Sequence, residues 1–449
     1  MERVAKLEAE NASLRAKLAE YSRNSNRPPS SDSPSQRAQR TPKRDTGRGP
    51  GGQPGHGGHQ RVLLPDEEVT RVVRREPRRC RRCAADLEGA EPLDALRHQV
   101  VDLPPLQPDV TEYRLGRRRC PDCKTVTCAK LPHGVPRGMC GPRLMALVAL
   151  LTGVYHVSRQ SARQLLADVL GVRLSLGALS ETEGKIAEAL APAHDEALAR
   201  VRQARAKNID ATTWARAGEH RALWVMASRL ATVFVVGVGA TAHAVRSLVG
   251  TVRGILVSDR GSQFGFWAME RRQICWAHLI RKFVAFTESA RPAVQKLGES
   301  LLMLAQVHLR AWHNVRDGTG SRGELQRLVT NLEPHFLAHL ERGVALRLHG
   351  VSGACDNLLQ HRHALFTYAF KEGVEPTNNH AERELRAFVL WRKRSFGAQS
   401  DRGDRFAERV MTVVHTLRKQ KRHVLSYLVD ACTAALRSST TPGLIRSTP

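Results

Sequence analysis

The stretch from Arg205 to Asp259 limits the fold of this chain more than any other part of the sequence. It contains three strand-like runs, rich in β-branched and aromatic residues and separated by hairpin-length turns, then a helical stretch and a fourth strand-like run. The strand-like runs are 208–214, 223–227, 232–238 and 254–259, and the helical stretch is 241–249, with Thr241 as a candidate N-cap. This order predicts an α/β domain with a helical crossover before the fourth strand.

Two aspartates fall on strands that this order brings together. Three hairpin-linked strands, a helix and a fourth strand reproduce the opening order of an RNase H-like sheet, in which the first and fourth strands are neighbours. Asp210 then lies on the first strand and Asp259 at the end of the fourth, so their carboxylates converge. Carboxylates suit Mg²⁺, a hard cation that prefers oxygen ligands, and two such ions about 4 Å apart serve phosphoryl transfer. A single aspartate at a strand end is more often a turn or cap residue, so only the pair is informative.

A third carboxylate for such a cluster must come from elsewhere in the chain. The candidate is Glu382, where a loop after Pro376 enters a predicted helix. The structural alternative is a capping box, with Asn379 as the N-cap and Glu382 three residues later. Glu384 is the rival carboxylate, but it lies about 200° around the helix from Glu382, so the two cannot both face one site.

The charge of the chain indicates a polyanionic partner. Its 70 Lys and Arg residues exceed its 43 Asp and Glu residues, which gives a formal net charge of +27 and a pI near 10.7. Such a field favours nucleic acid, an anionic membrane surface or an acidic protein, although a basic protein of no particular specificity also fits. No apolar run reaches the length of a transmembrane helix, and the N-terminus lacks the apolar core of a signal peptide. We therefore expect a cytoplasmic protein.

Two cysteine pairs predict a structural zinc site. Cysteines in a cytoplasmic chain favour metal ligands or buried thiols over disulfides, and two pairs here have the C-x-x-C spacing of a metal knuckle. The predicted zinc ligands are Cys80, Cys83, Cys120 and Cys123, since four thiolates complete a tetrahedral zinc site. Strand-like runs at 96–101 and 110–115 between the pairs are typical of a zinc ribbon. Cys128 and Cys140 are alternative ligands without knuckle spacing.

The N-terminal residues have two different compositions. Residues 1–21 show the apolar heptad pattern of a short parallel coiled coil, with Asn11 at a core position, and a monomeric amphipathic helix is the alternative. Residues 22–62 are rich in Ser, Pro, Gly and basic residues and are predicted to be a flexible basic linker. That linker either follows the phosphate backbone of DNA or acts as a plain tether.

Two further stretches have helical patterns. Within 141–205, Ser158 and Ser175 are candidate N-caps and Gly171 is a candidate helix end. This arrangement is compatible with a helix-turn-helix DNA reader, although short helix pairs occur in many folds. Amphipathic helices around 297–309 and 325–340 predict a helical insertion before Glu382, which would shape a DNA channel.

Several motifs together resemble the signature of the IS66 family of insertion-sequence transposases. They are NNHAERELR at 378–386, CWAHLIRKF at 275–283, RKRSFG at 392–397, VSD at 257–259, GPGGQPGH at 49–56 and the paired C-x-x-C knuckles. They cover nearly the whole chain in order, and they are specific as a set although none suffices singly. The resemblance implies a DDE triad, which falls on Asp210, Asp259 and Glu382.

The chain departs from that family pattern in two places. Ala211 follows the first aspartate where the family usually has glutamate, and Arg260 follows the second where the family usually has glycine. The acids themselves are retained, so we still expect catalysis. Cys275 and His278 suggest another metal site, but such a spacing is more often helix packing or DNA contact.

The resemblance, together with these patterns, implies a multidomain α+β protein. The expected parts are a coiled coil (1–21), a linker (22–62), a zinc-ribbon DNA-binding domain (63–132), a helix-turn-helix-like module (141–205), an RNase H-like catalytic domain (206–430) with a helical insertion (288–370), and a tail (431–449). The expected DNA contacts are Arg78, Arg79, Arg81, Arg82, Arg117, Arg118, Arg119, Arg281, Lys282, Arg383, Arg386, Arg392, Lys393 and Arg394.

The function implied by the resemblance is DNA transposition. Such an enzyme binds terminal inverted repeats of its element and uses Mg²⁺ or Mn²⁺ for strand cleavage and strand transfer, with Zn²⁺ in a structural role. The implied partners are double-stranded DNA, at least one further copy of the chain, and small accessory proteins of the same element, in the bacterial nucleoid. Two alternatives are a zinc-dependent DNA-binding regulator and a catalytically decayed transposase that retains binding alone.

Overall fold

The computed structural model describes residues 62–237, 239–395 and 397–446. Of these, residues 62–108 belong to one compact unit and residues from 109 onward to another. The predicted coiled coil and almost all of the predicted linker lie outside the described residues. Thirteen α-helices and a mixed sheet make the described part an α+β protein, as expected.

The cysteine-bearing region has little regular structure. Residues 62–108 contain one 3₁₀ turn, Asp66–Glu68, and residues 109–140 contain one antiparallel hairpin, β1 (Arg117–Arg119) with β2 (Val126–Cys128). The strands predicted at 96–101 and 110–115 are wrong, because neither run has a strand assignment in this part of the described chain. The backbone N–H and C=O groups of a strand need a partner strand to bond to, and neither run has one in the described residues. Their apolar side chains are therefore not covered, and Leu96 is 98% exposed and Val110 82% exposed.

The sheet of the larger unit has five strands. They are β3 (Ala206–Arg216), β4 (Glu219–Ala227), β5 (Thr232–Val236), β6 (Ile255–Ser258) and β7 (Arg272–Ile274), in the spatial order β5-β4-β3-β6-β7. The hairpin pairs β3 with β4 and β4 with β5 are antiparallel, whereas β6 and β7 run parallel to β3. The prediction that the first and fourth strands are neighbours is therefore confirmed.

Four helices precede this sheet in the chain, and a fifth lies between β5 and β6. They are α1 (Pro142–Val148), α2 (Arg159–Leu170), α3 (Leu176–Ala189), α4 (Ala191–Arg202) and α5 (Ala242–Val249), and a π-helix at Ala149–Val154 continues α1. The predicted caps are confirmed: the side chains of Ser158, Ser175 and Thr241 each accept a backbone N–H at the start of their helices. Gly171 ends α2 with a φ of 67°, a conformation that favours glycine.

A helical insertion follows β7, and its apolar core also includes Val257 of β6 and Ile274 of β7. It consists of α6 (Trp276–Thr287), α7 (Pro292–Arg316), α8 (Arg322–Ala345), α9 (Ser352–Gln360) and α10 (Thr367–Phe370). The helices predicted around 297–309 and 325–340 lie within α7 and α8. Gly298 on α7 faces the end of α6, where a Cβ would lie 2.6 Å from the Thr287 nitrogen, so only glycine permits this approach.

Three C-terminal helices complete the unit: α11 (Asn379–Ser395), α12 (Asp401–Lys419) and α13 (Val424–Leu436). They share one buried cluster with α1–α4 and with one face of the sheet, and Leu166, Trp214 and Val410 are members of it. The opposite face packs against α5, as Ile209 and Val245 show. The helices of 142–202 and the sheet therefore have a common core.

The C-terminal residues continue this packing. The backbone N–H groups of Leu444 and Ile445 donate to the Glu196 carboxylate on α4 at 2.7 and 2.9 Å, and Leu444 is buried. The segment predicted as a tail from residue 431 thus includes the end of α13 and a docked stretch up to residue 446. Throughout the described ranges, we find no helix long and apolar enough to cross a bilayer.

Candidate active site

The sheet brings Asp210 and Asp259 together. Strands β3 and β6 are parallel neighbours with Asn208 opposite Val257. Asp210 comes two residues after Asn208, and Asp259 comes two residues after Val257. Continuing the same register therefore places Asp210 opposite Asp259. The observed pairing of β3 with β6 thus brings the two aspartates together, as the order of the strands predicts.

A buried arginine on the neighbouring strand β7 hydrogen-bonds to the segment that carries Asp259. Arg272 on β7 is 1% exposed, and its Nη2 donates to the Ser258 hydroxyl at 3.2 Å and to the Asp259 carbonyl at 3.0 Å. The Asp259 Oδ1 accepts the N–H of Gly261 at 2.9 Å. These contacts fix the direction of the carboxylate before any ligand is bound.

Glu382 reaches the same place from the first turn of α11. Its Oε1 is buried and has no hydrogen-bond partner among the described residues. The nearest cations are His278, if protonated, with Nδ1 at 3.9 Å from Oε1, and Arg281, with Nη2 at 3.8 Å from Oε2. A buried carboxylate oxygen with no partner is costly, so the position of this oxygen is not explained by any hydrogen bond among the described residues.

The capping alternative for Glu382 receives no support from the helix start. The helix α11 begins at Asn379, so Asn378 holds the cap position rather than Asn379. The Asn378 side chain contacts β3 instead, where its Nδ2 donates to the Ile209 carbonyl at 2.7 Å. The free Oε1 of Glu382 is likewise unlike a capping oxygen, which would accept the N-cap N–H.

The three carboxylates interact electrostatically. The pKa of Asp210 is raised to about 7, mainly by burial and also by the negative charges of Glu382 and Asp259, against the opposing effects of the hydrogen bond from the Ala211 N–H and the charge of Arg281. Carboxylates that repel one another are stabilised by a shared cation. Their oxygen donors are those that Mg²⁺ and Mn²⁺ prefer, and the unpaired Oε1 of Glu382 fits a metal ligand.

We expect metal binding to expel a proton from this cluster. Because the pKa of Asp210 is about 7, its carboxyl group is largely protonated below that pH, and a metal ion must displace the proton. Titration of Mg²⁺ into the protein at pH 6 in buffers of different ionisation enthalpy should show release of about one proton, against almost none at pH 8.5. In Asp210→Asn the proton release at pH 6 should disappear. A proton release of the same size at pH 6 and pH 8.5 would contradict the assignment of Asp210 as a metal ligand.

Glu384 faces away from the acids. Its carboxylate pairs with His415 and lies 3.0 Å from the Lys419 Nζ and 3.4 Å from the His380 Nε2. Burial alone would raise the pKa of Glu384, but the hydrogen bonds from both histidines and the charge of Lys419 lower it. The structure thus agrees with the helix geometry that separated Glu384 from Glu382.

Cys275 and His278 lie beside Glu382. One ligand atom from each of the three lies within 4.8 Å of the others. The Cys275 thiol is fully buried and accepts the Asn378 N–H at 3.0 Å, and burial raises its pKa to about 11. Burial and the charge of Arg281 lower the pKa of His278. Cys275 is thus a packed, neutral thiol, and neutral His278 is free to donate or accept at the site.

The two departures from the family pattern are accommodated locally. The Ala211 side chain is exposed, so a longer residue is not needed there for packing. The Arg260 side chain extends to α9, where its Nη1 donates to the Asn357 Oδ1 at 3.1 Å. The Ala211 N–H donates to the Asp210 Oδ1 at 2.9 Å, a backbone contact that does not depend on the side chain, and the charge of Arg260 interacts with Asp259.

The residues expected to contact DNA fall into two groups. Most are exposed: Arg78, Arg79, Arg81, Arg82, Arg117, Arg118, Arg119, Arg383, Arg386, Lys393 and Arg394. The others are partly buried. Arg281 lies near Glu382, the Lys282 Nζ stands 5.4 Å from the centre of the Phe286 ring, and Arg392 donates to the Thr213 carbonyl and hydroxyl. Arg392 therefore helps to attach α11 to β3.

Each cysteine pair forms the same tight turn. In the first, the Ala84 N–H donates to the Cys80 carbonyl at 2.9 Å, and Ala84 has a φ of 57°. In the second, the Lys124 N–H donates to the Cys120 carbonyl at 3.1 Å, and Lys124 has a φ of 61°. Hydrogen bonds led by Thr125 lower the pKa of Cys123 to about 7. In each pair the two thiols lie within hydrogen-bond distance of each other, so both sulfurs are on one side of the turn.

Sequence reasoning missed Arg272, Asn208 and Asn378 as residues of this site. Asn378 lies inside the NNHAERELR run, so the motif contained a signal for it. Arg272 lies on a three-residue strand that has no apolar pattern, and nothing in the sequence marks it.

Comparison with known proteins gives the family. The model of the IS66 transposase family matches residues 137–405, which include all three acids, and the model of a family of unknown function matches residues 2–62. The uncharacterized protein y4hP of Sinorhizobium fredii is 27% identical in an alignment of 409 residues that covers 82% of this chain and 72% of that protein. Because residues 137–405 are more than half of its length, this chain belongs to the IS66 family of transposases.

Proposed function

We propose that the chain cleaves and joins DNA strands with divalent metal ions held by Asp210, Asp259 and Glu382. The observation that carries the proposal is the convergence of three carboxylates from β3, the end of β6 and α11, one of them with an unpaired buried oxygen. The strand order β5-β4-β3-β6-β7 supports an RNase H-like catalytic domain. Structural ion pairs, by contrast, have their carboxylates matched with cations, as Glu384 does.

The surrounding residues suit a phosphate substrate. Bound Mg²⁺ or Mn²⁺ would activate the attacking oxygen and stabilise the leaving one. Arg281 stands 3.8 Å from Glu382, in a weak contact that leaves its guanidinium available to a phosphate oxygen. The neutral ring of His278, whose Nδ1 is buried without a partner in the described structure, can hydrogen-bond to the same group. Their side chains would orient the scissile phosphate against the acids.

The exposed arginines and lysines would bind the DNA backbone around this centre. Arg383, Arg386, Lys393 and Arg394 extend from the helix that carries Glu382. In the helix pair α2–α3, Arg159 and Glu183 form an ion pair at 2.6 Å that fixes one helix on the other. We propose that the helix pair α2–α3 reads the terminal inverted repeats of the element. We also propose that the N-terminal heptads join at least two copies of the chain, because an element has two ends. Accessory proteins of the element are a further expectation from the family.

We propose that the cysteine pairs hold a structural Zn²⁺. Metal analysis of the full chain should find about one Zn²⁺ per chain. The double change Cys80→Ser and Cys83→Ser should remove it and weaken DNA binding, whereas Cys432→Ser, at a buried cysteine on α13, should leave it. Wild-type protein that contains no zinc when prepared without a chelator would contradict this proposal.

The proposed reaction can be tested with element ends that are already cut. Strand transfer from such ends into target DNA should occur with Mg²⁺ or Mn²⁺ and should stop with EDTA. End binding without any product, at all metal concentrations, would instead favour a zinc-dependent regulator or a decayed transposase.

A further inference from the structure

One buried side chain contacts the backbone beside two of the three acids. Asn378 is 1% exposed, and its Nδ2 donates to the carbonyl of Ile209, the residue before Asp210, at 2.7 Å. The Asn208 Nδ2 donates to the Asn378 Oδ1 at 3.0 Å. The Asn378 carbonyl accepts the N–H of Glu382 at 3.2 Å. Asn378 thus joins the strand of the first acid to the helix of the third.

Cys275 extends the connection to the second acid. Its Sγ accepts the Asn378 N–H at 3.0 Å, and its own N–H donates to the carbonyl of Ser258, the residue before Asp259, at 2.9 Å. One buried network of hydrogen bonds therefore runs through Cys275 and Asn378 between the backbone segments of all three carboxylates. The five bonds are 2.7 to 3.2 Å long, within the normal range for hydrogen bonds, so they link the three segments directly.

We propose that Asn378 and Cys275 are positioning residues, which form a clasp that sets the spacing of Asp210, Asp259 and Glu382 for metal binding. The inference rests on the proposed function of those acids. A metal pair tolerates only small changes in the positions of its ligands, and the three acids come from segments far apart in the sequence. The clasp supplies the missing local connection. In this arrangement the Cys275 sulfur acts as a hydrogen-bond acceptor and not as a metal ligand.

The test uses Mn²⁺ binding to the zinc-loaded full chain, followed by electron paramagnetic resonance, because this readout does not need activity. Residues that orient metal ligands typically affect metal affinity by about 10- to 100-fold, and we expect a loss of that size in Asn378→Ala. The matched control is Thr412→Val, which removes an equally buried hydrogen bond, from the Phe234 N–H at 3.0 Å. It should lose stability but keep the Mn²⁺ affinity of wild type.

The role of Cys275 is separated by two substitutions. Cys275→Ser keeps an acceptor for the Asn378 N–H and should bind Mn²⁺ nearly as wild type does. Cys275→Val fills the volume without an acceptor and should bind about tenfold more weakly. An equal loss in both variants would mean that the thiol itself binds metal, and it would overturn the clasp.

The outcomes distinguish this inference from the proposed function. If wild type binds Mn²⁺ no better than Asp259→Asn does, the acids are not a metal site and the proposed function fails. If wild type binds Mn²⁺ and Asn378→Ala binds it equally well, only the clasp fails. Should Asn378→Ala not fold, Asn208→Ala, which removes the 3.0 Å bond alone, must still weaken Mn²⁺ binding.

Discussion

The Asp259→Asn variant should lose at least about 1,000-fold in the rate of strand transfer while it binds element ends as tightly as wild type. A metal ion contributes several kcal/mol to such a reaction, and each 1.4 kcal/mol is a factor of ten in rate. The amide keeps the size of the carboxylate, and its oxygen can still accept the Gly261 N–H now bound at 2.9 Å. Only the negative charge is removed, so the fold and the basic DNA surface stay intact.

The measurement is single-turnover strand transfer from pre-cut ends, with DNA affinity determined on the same preparations. Asp317→Asn is the matched control, because it makes the same chemical change in an exposed ion pair with Arg316 at the C-terminal end of α7. It should transfer strands at the wild-type rate. Strand transfer that survives in Asp259→Asn would remove this residue from the catalytic centre.

The part of the site on the sheet could be predicted from sequence because strand order decides it. Three hairpin-linked strands and a helical crossover leave few arrangements in which β6 can pair, and pairing beside β3 brings Asp210 to Asp259. Each predicted cap was a local signal within three residues. Local patterns of this kind can be recognised in a sequence without knowledge of the rest of the fold.

The remaining part of the site depends on contacts between distant segments. Asn208 and Asn378 are 170 residues apart, and although the family motif includes Asn378, nothing in the local sequence indicates that its partner is Asn208. The strand β7 was missed because it has only three residues, Arg272–Ile274, and begins with a buried arginine. Glu382 was assigned through the family motif, since helix geometry separates it from Glu384 but cannot point it at the sheet.

Two glutamates on α11 should respond to the same isosteric change in opposite ways. Glu382→Gln should abolish strand transfer and leave the stability unchanged or slightly higher, because the negative charge of Glu382 repels Asp210 in the metal-free protein. Glu384→Gln should lower the free energy of unfolding by about 3–5 kcal/mol, because it leaves Lys419 buried without its ion-pair partner. Urea unfolding followed by tryptophan fluorescence measures the stability of both variants, since Trp391 lies on the same helix as the two glutamates.

The pH dependence of unfolding separates the two glutamates further. The lowered pKa of Glu384 means that its contribution to wild-type stability is complete above the unfolded pKa of about 4.3 and is lost as the pH falls through the lower pKa of the folded state. Wild type and Glu384→Gln should therefore differ most at neutral pH and converge in acid. A stability loss of equal size in Glu382→Gln would show that Glu382 is a structural ion-pair residue, and the triad would then lose its third member.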